Sequence, residues 1–196
     1  MSYVNVVARE IHLKLVYYGP GLCGKTANLE YIYERAPEHG KGKLVSLKTT
    51  SERTLFFDFL PLDVGAVGSF RARLALYTVP GQVFYRASRR LVLKGVDGVV
   101  FVVDSQRARL DANLEAMEDL RENLAEMGTP LDGLPLIVQY NKRDMVDIEP
   151  VEQLRELLNP AGLPEFESDA RSGRGVMETL SGAARLVLRD QRRRSR

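Results

Sequence analysis

The stretch Gly19-Pro20-Gly21-Leu22-Cys23-Gly24-Lys25-Thr26 lies between an apolar, β-rich segment at residues 11–18 and a helical pattern of apolar residues over 26–36. Glycines let backbone N–H groups approach phosphate oxygens without a Cβ in the way, and the start of a helix adds a favourable dipole. Lys25 offers a positive charge to the β- and γ-phosphates, and Thr26 offers a hydroxyl to Mg²⁺. The stretch therefore predicts a nucleotide-phosphate loop that joins a strand to a helix.

Segments typical of strands alternate with helical patterns along the rest of the chain. We expect strands at residues 44–47, 70–79, 99–103, 136–140 and 165–168, and helices at 110–127, 151–158 and 176–187. Strands separated by helices of about ten or more residues indicate a largely parallel sheet with helices on both faces, a three-layer α/β fold. Ligands then bind beyond the carboxyl ends of the strands. We predict one domain over residues 1–190 and a basic tail at 191–196.

Composition excludes several classes of protein. The chain has 196 residues, 44% of them hydrophobic, and its one cysteine cannot form an internal disulfide. The longest unbroken apolar run, residues 99–103, is far shorter than the roughly 20 residues of a membrane helix. Arg9 and Glu10 interrupt the place of a signal peptide, Ser2 replaces the glycine needed for myristoylation, and no prenylation box ends the sequence. We expect a soluble, cytoplasmic protein without a lipid anchor.

The net charge of +2 is unevenly distributed, because the C-terminal segment is strongly basic. Six arginines and one aspartate follow from Arg185 onward, a net +5, so the preceding residues are net −3. The sequence pI of about 8.7 therefore reflects the end of the chain and not a basic domain. We expect this end to be solvated, with contact to nucleic acid or anionic lipid as the alternative.

A second motif, Asn141-Lys142-Arg143-Asp144, follows the strand predicted at residues 136–140. The carboxylate of Asp144 can accept hydrogen bonds from the N1–H and the 2-amino group of guanine, whereas adenine lacks this pair of donors. The motif therefore favours guanine over adenine. At the next strand end, in Ser168-Asp169-Ala170-Arg171, the backbone N–H of Ala170 is a candidate donor to the guanine O6, with a plain loop as the alternative.

Together with Thr78-Val79-Pro80-Gly81-Gln82, these two motifs resemble the Ras-like small GTPases over residues 10–190. More narrowly, Glu52-Arg53-Thr54-Leu55-Phe56-Phe57-Asp58-Phe59-Leu60-Pro61 resembles the MglA family of bacterial gliding-motility and cell-polarity GTPases. The resemblance implies a Ras-like G domain that switches between GTP and GDP and hydrolyses GTP slowly. It also implies an MglB-like roadblock dimer that accelerates hydrolysis, downstream polarity or motility effectors, and recruitment by partners to a cell pole or membrane.

Hydrolysis of GTP requires positioning and charge stabilisation more than covalent chemistry. Gln82 is placed to orient the attacking water, with a polar residue at a helix start as the alternative. Arg53 is a candidate arginine finger in cis, with a solvated loop arginine as the alternative. Thr54, expected in the loop before the aromatic strand, is a second hydroxyl for Mg²⁺ beside Thr26. The aromatic run at residues 56–59 is expected in the core, with a nucleotide-dependent partner surface as the alternative.

The full set of predicted nucleotide-binding residues combines the phosphate loop, the start of its helix, the two loops around Thr54 and Gly81, and the base motif. These residues are Gly19, Gly21, Leu22, Cys23, Gly24, Lys25, Thr26, Ala27, Thr54, Gly81, Asn141, Lys142, Asp144 and Ala170. Cys23 occupies a variable position of the loop, so we expect a tolerated small side chain, with a redox role as the alternative.

Thr78 departs from the Ras-like pattern, which has an aspartate at this position. A threonine hydroxyl can bond to a metal-bound water but brings no negative charge. Either the affinity for Mg²⁺ is reduced or another acid, such as Asp58, assists. A guanine-nucleotide-binding scaffold without significant hydrolysis is therefore the alternative to a GTPase. An ATP-using phosphotransferase is disfavoured by Asp144.

Overall fold

The computed structural model describes residues 3–48, 54–67, 69–81 and 86–194. Within these ranges eight strands form one sheet, in the order β3-β4-β5-β2-β6-β7-β8, with β1 paired to β2. The strands are β1 (Tyr3–Asn5), β2 (Glu10–Tyr18), β3 (Val45–Lys48), β4 (Thr54–Val67), β5 (Phe70–Thr78), β6 (Gly98–Asp104), β7 (Leu136–Asn141) and β8 (Glu165–Glu167).

Helices cover both faces of this sheet. They are α1 (Lys25–Arg35), α2 (Arg86–Leu93), α3 (Leu110–Glu126), α4 (Val151–Leu158) and α5 (Val176–Arg194). One apolar cluster packs α1 and α5 against the sheet, and a second packs α2, α3 and α4 against the opposite face. Every residue of β6 is buried, as the continuous apolar run predicts for a strand covered on both sides. The predicted three-layer α/β fold is confirmed.

The parallel strands bring the sequence motifs to one edge of the sheet. β2 pairs in parallel with β5 and β6, β6 with β7, and β7 with β8. Only β1, β3 and β4 run antiparallel to their neighbours. The loops that follow β2, β5, β6, β7 and β8 therefore meet at the carboxyl edge.

Some local expectations were wrong. Thr54 was expected in a loop, but it is the first residue of β4, a strand of 14 residues that pairs with both β3 and β5. The pattern gave no signal for α2, because its eight residues bury only a short apolar segment around Val92 and Leu93. The last helix continues through Arg194, beyond the predicted end at residue 187. No helix among the described residues is both long and apolar enough to cross a membrane.

Candidate nucleotide-binding site

The phosphate loop closes around the side chain of Lys25. The Lys25 Nζ donates to the carbonyl oxygens of Gly19 at 3.0 Å and Pro20 at 2.7 Å. The side chain is only 6% exposed, and this burial lowers the pKa of Lys25. The Nζ also lies 3.6 Å from the Cys23 Sγ. A buried ammonium whose hydrogen-bond partners are neutral is stabilised further by an anion. The loop therefore holds its one lysine where a phosphate group would pair with it.

Two glycines allow neighbouring loops to touch the phosphate loop. Gly24 has a φ of +102°, and a Cβ there would collide with the amide nitrogen of Asn141. Gly81, in the loop after β5, lies so close to Gly21 that a side chain on it would meet the Gly21 backbone. Any larger residue at either position would separate loops that the fold brings into contact.

The remaining loop residues differ in exposure. Leu22 is exposed and adopts a left-handed φ of 66°, whereas Cys23 is fully buried in the cluster beneath α1 and α5. Burial raises the pKa of the Cys23 thiol, although the Lys25 ammonium partly offsets this effect. The Cys23 thiol is thus shielded from solvent, which favours the prediction of a small side chain over a redox role. Ala27 lies in the first turn of α1, partly buried against the same cluster.

Asn141, the last residue of β7, joins the phosphate loop to the loop after β8 through its side chain. Its Nδ2 donates to the carbonyl of Cys23 at 2.7 Å. Its Oδ1 accepts from the Ser168 hydroxyl at 3.1 Å and from the backbone N–H of Ala170 at 2.9 Å. The N–H that the sequence assigned to the guanine O6 is therefore engaged with Asn141, and the contact to O6 stays a prediction.

A buried carboxylate that the sequence analysis missed supports the base motif. Asp104, at the end of β6, is fully buried and accepts from the Lys142 Nζ at 2.8 Å. The Arg109 Nε lies 3.7 Å from the same oxygen, and its Nη2 donates to the Gly21 carbonyl at 2.9 Å. Asp104 thereby connects the base motif to the phosphate loop. A carboxylate at the end of an otherwise apolar strand was the signal that could have identified it.

Asp144 presents its carboxylate to solvent. The residue is exposed, and its side chain has no hydrogen bond or ion pair to other described residues. The neighbouring Arg143, by contrast, bonds to Glu167 and to the Glu149 carbonyl. The three preceding residues of the motif are thus anchored, whereas the Asp144 carboxylate remains available to a ligand.

Asp58 lies beside the threonine that begins α1. It is fully buried within β4, and its Oδ2 accepts from the Thr26 hydroxyl at 2.6 Å and from the Thr78 hydroxyl at 2.8 Å. Its Oδ1 accepts from the Ser46 hydroxyl, while its backbone N–H donates to Thr78 Oγ1 at 2.7 Å. Asp58 thus contacts both Thr26 and Thr78. It is the acid that the sequence analysis named as a substitute for the missing aspartate at position 78.

The predicted catalytic residues, Arg53 and Gln82, lie outside the described residues, and Thr54 is described only as the start of β4. An unpredicted contact holds the segment just before Gln82. Arg89 in α2 is buried, donates from Nε to the Pro80 carbonyl at 2.9 Å and pairs with Asp119 of α3 at 2.6 Å. Asp119 also accepts from the hydroxyl of Tyr18.

Comparison with known proteins agrees with this geometry. The model of the ADP-ribosylation factor family matches residues 47–181. The chain is 57% identical to the mutual gliding-motility protein MglA of Myxococcus xanthus over 96% of both chains. It is 26% identical to ADP-ribosylation factor-related protein 1 of Rattus norvegicus, over 87% of this chain and 83% of that protein. It is 24% identical to the Ras-related protein Rab-27B of Rattus norvegicus, over 90% of this chain and 80% of that protein. The chain therefore belongs to the Ras-like small GTPases, in the group that contains MglA, and it is a GTPase that binds guanine nucleotides.

Proposed function

We propose that this GTPase is a nucleotide-dependent switch of gliding motility and cell polarity whose metal site uses Asp58 in place of an aspartate at position 78. The observation that carries the proposal is the buried Asp58 carboxylate in contact with the hydroxyls of Thr26 and Thr78. A switch needs a site that distinguishes GTP from GDP, and this carboxylate supplies the charge that Thr78 lacks.

The residues present fit Mg²⁺. A carboxylate and hydroxyls are the oxygen ligands that this ion prefers, and in nucleotide sites it is held by one or two carboxylates together with phosphates. Within the described ranges, no group of three or more His, Cys, Asp or Glu side chains could hold a metal ion without such phosphates. Thr26 and Thr54 would hold Mg²⁺, with Asp58 and Thr78 orienting the ligands around it. When bound, the ion supplies positive charge to the β- and γ-phosphates.

Catalysis is assigned to two residues that flank this site in the chain. Gln82 orients the attacking water, and Arg53 is an arginine finger supplied in cis. An arginine finger that was permanently docked would hydrolyse GTP rapidly, and little GTP-bound protein would remain to signal. Intrinsic hydrolysis is therefore slow. An MglB-like roadblock partner orders the segment of Arg53 and accelerates hydrolysis without inserting an arginine of its own. An arginine finger contributes on the order of 10³ to 10⁵ in rate when docked.

Asn141, Lys142 and Asp144 bind guanine, and the loop of residues 19–26 binds the phosphates. The Asn141 side chain, which bonds to both the phosphate loop and the loop of Ala170, supports a site that is formed before the nucleotide arrives. Downstream effectors read the GTP-bound form, and the protein acts in the cytoplasm, recruited by partners to a cell pole or membrane.

Single-turnover hydrolysis of GTP tests the proposal, with and without an MglB-like partner and with ATP as the comparison substrate. We expect slow turnover of GTP alone, strong stimulation by the partner and none with ATP. Arg53→Ala and Gln82→Leu should each keep GTP binding and lose most of the stimulated rate, whereas Arg121→Ala, an exposed helical arginine, should match the wild type. An Arg53→Ala protein stimulated as strongly as the wild type would mean that the partner supplies the finger.

A further inference from the structure

The end of the molecule opposite the nucleotide site carries an exposed apolar turn. Residues 6–9 form the turn between β1 and β2, and within it Val6 is 71% and Val7 98% exposed. The next residue but one, Arg9, is also exposed, with a left-handed φ of 51°. Exposure of two adjacent valines to water at the tip of a hairpin is unfavourable, and their transfer into an apolar phase would lower the free energy.

The pairing register places this turn beyond the sheet. β5 occupies one edge of β2 from Glu10 to Tyr17, whereas on the other edge β6 begins only at the pair Leu15–Gly98. β1 pairs with residues 10–12 of β2, so it fills the position next to β2 before β6 begins. The turn at residues 6–9 therefore extends from the amino edge of the parallel strands, away from the phosphate loop.

The arginine-rich end of α5 reaches the same edge. The helix starts beside the carboxyl end of β8, where Gly175 lies against the Glu167 carbonyl. It then passes over the first residue of β6, where Val187 contacts Gly98. The seven residues after Val187 add about 10 Å of helix, so residues 188–194 continue past the amino end of β6, the side on which β1 lies next to β2.

This end of α5 is strongly basic and largely unpaired. Residues 185–194 contain five arginines and one aspartate, although the whole chain is only +2. Arg189, Arg192 and Arg193 are exposed, and their side chains form no hydrogen bond or ion pair in the part of the chain that the structure describes. Three acidic groups on these elements and beside them are already engaged, Asp190 with Arg194 at 2.6 Å, Glu10 with Arg73 at 2.8 Å and Asp97 with the backbone N–H of Lys14.

We propose that the amino edge of the sheet binds directly to an anionic lipid bilayer, with Val6 and Val7 inserted at the interface and Arg189, Arg192 and Arg193 facing the headgroups. Apolar side chains beside cations match a bilayer, which offers an apolar phase next to phosphates. A nucleic acid also offers phosphates but no apolar phase for the valines. Bound in this way, the nucleotide site and the loop of Gly81 face away from the membrane, open to partners.

Vesicle sedimentation of the full chain loaded with GDP tests this surface. We expect binding to vesicles of phosphatidylcholine and phosphatidylglycerol in equal parts, no binding to phosphatidylcholine alone, and loss of binding as salt rises to about 0.3 M. Arg189→Glu/Arg192→Glu should weaken binding at least about tenfold, and Val6→Ser/Val7→Ser about fivefold. Unchanged GDP binding by these variants shows that they are folded.

Matched controls lie at the nucleotide end of the molecule. Arg171→Glu/Arg174→Glu makes the same change in charge, and Val146→Ser removes a valine that is fully exposed; neither should alter vesicle binding. The proposal is overturned if the wild type does not bind the mixed vesicles at low salt, or if the edge variants bind as well as the controls. A third outcome also overturns it: the arginine substitutions weaken vesicle binding, the valine substitutions do not, and the protein binds single-stranded DNA at least as tightly as the vesicles.

Discussion

The candidate site has two sides: a base side of Asp104, Asn141, Lys142 and Asp144, and an Asp58 side of Thr26, Asp58 and Thr78. On the base side, Asn141 bonds to the phosphate loop and to the loop after β8. On the Asp58 side, a carboxylate inside a strand accepts from two threonine hydroxyls. The base side is built from residues at the ends of parallel strands, where the fold class alone brings them together.

The Asp58 side depends on a different feature, the register of the antiparallel strand β4. Phe59 pairs with Tyr77 and Ser46 with Asp58, which brings the Asp58 carboxylate to Thr78 and Thr26. A shift of one residue in β4 would turn Asp58 to the opposite face of the sheet. The comparison teaches that a site can be completed by a residue 20 positions away in the sequence, provided that the register between neighbouring strands is held.

The largest expected effect comes from the loop that both sides share. Lys25→Ala removes the buried ammonium that would pair with the phosphates, so GDP and GTP affinity should fall by about 10² to 10³, or ~3 to 4 kcal/mol. Equilibrium titration with a fluorescent guanine nucleotide measures this loss. Lys94→Ala, an exposed lysine before β6, is the control and should bind as the wild type does. Unchanged affinity of Lys25→Ala would contradict the phosphate-loop assignment.

A smaller effect is expected at the base side. Asp144→Asn should weaken GDP about 30-fold, ~2 kcal/mol, and favour the xanthine nucleotide, because an amide can donate to the 2-oxo group that a carboxylate would repel. Competition between GDP and XDP measures the preference. Asp147→Asn removes a nearby exposed carboxylate that pairs with Arg107 and should leave the preference unchanged. A variant at position 144 that still prefers GDP would show that Asp144 does not recognise the base.

A substitution at Asp104 should affect the base side alone and therefore the release of GDP and GTP equally. Asp104→Asn leaves Lys142 without its ionic partner and weakens the link through Arg109 to Gly21. We expect about tenfold faster dissociation of GDP and GTP alike, ~1.4 kcal/mol, because neither contact involves the γ-phosphate. Stopped-flow release of labelled GDP and GTP checks this. If only GTP were affected, Asp104 would act on the phosphates and not on the base motif.

The sequence could predict the layers of this fold and where its two short motifs lie, because these follow from local patterns. The apolar run of β6, the glycines of the phosphate loop and the residues 141–144 each lie within a short segment. The contact between Asp58 and Thr78 could not be predicted with the same certainty, because it joins residues 20 positions apart through strand register. Asp104 was missed for a related reason, since its partner Lys142 reaches it only when β6 and β7 pair.

Short apolar elements were a second limit. The helix α2, which holds Arg89 against Pro80, was not predicted, because it has only eight residues and buries only two apolar side chains, Val92 and Leu93. Tertiary packing against α3 stabilises this helix, and packing of that kind is not visible in the local sequence.

The central claim is that the Asp58 carboxylate supplies the charge missing at position 78, and the Mg²⁺ dependence of GDP release tests it most directly. Asp58→Asn should raise the Mg²⁺ concentration that half-stabilises bound GDP about tenfold or more, since one full negative charge is lost beside Thr26. Adding Thr78→Asp to that variant should restore most of the affinity for Mg²⁺. Asp63→Asn, a change on the same strand where the carboxylate pairs with Arg71, should behave as the wild type. An Asp58→Asn protein with the Mg²⁺ dependence of the wild type would contradict the account.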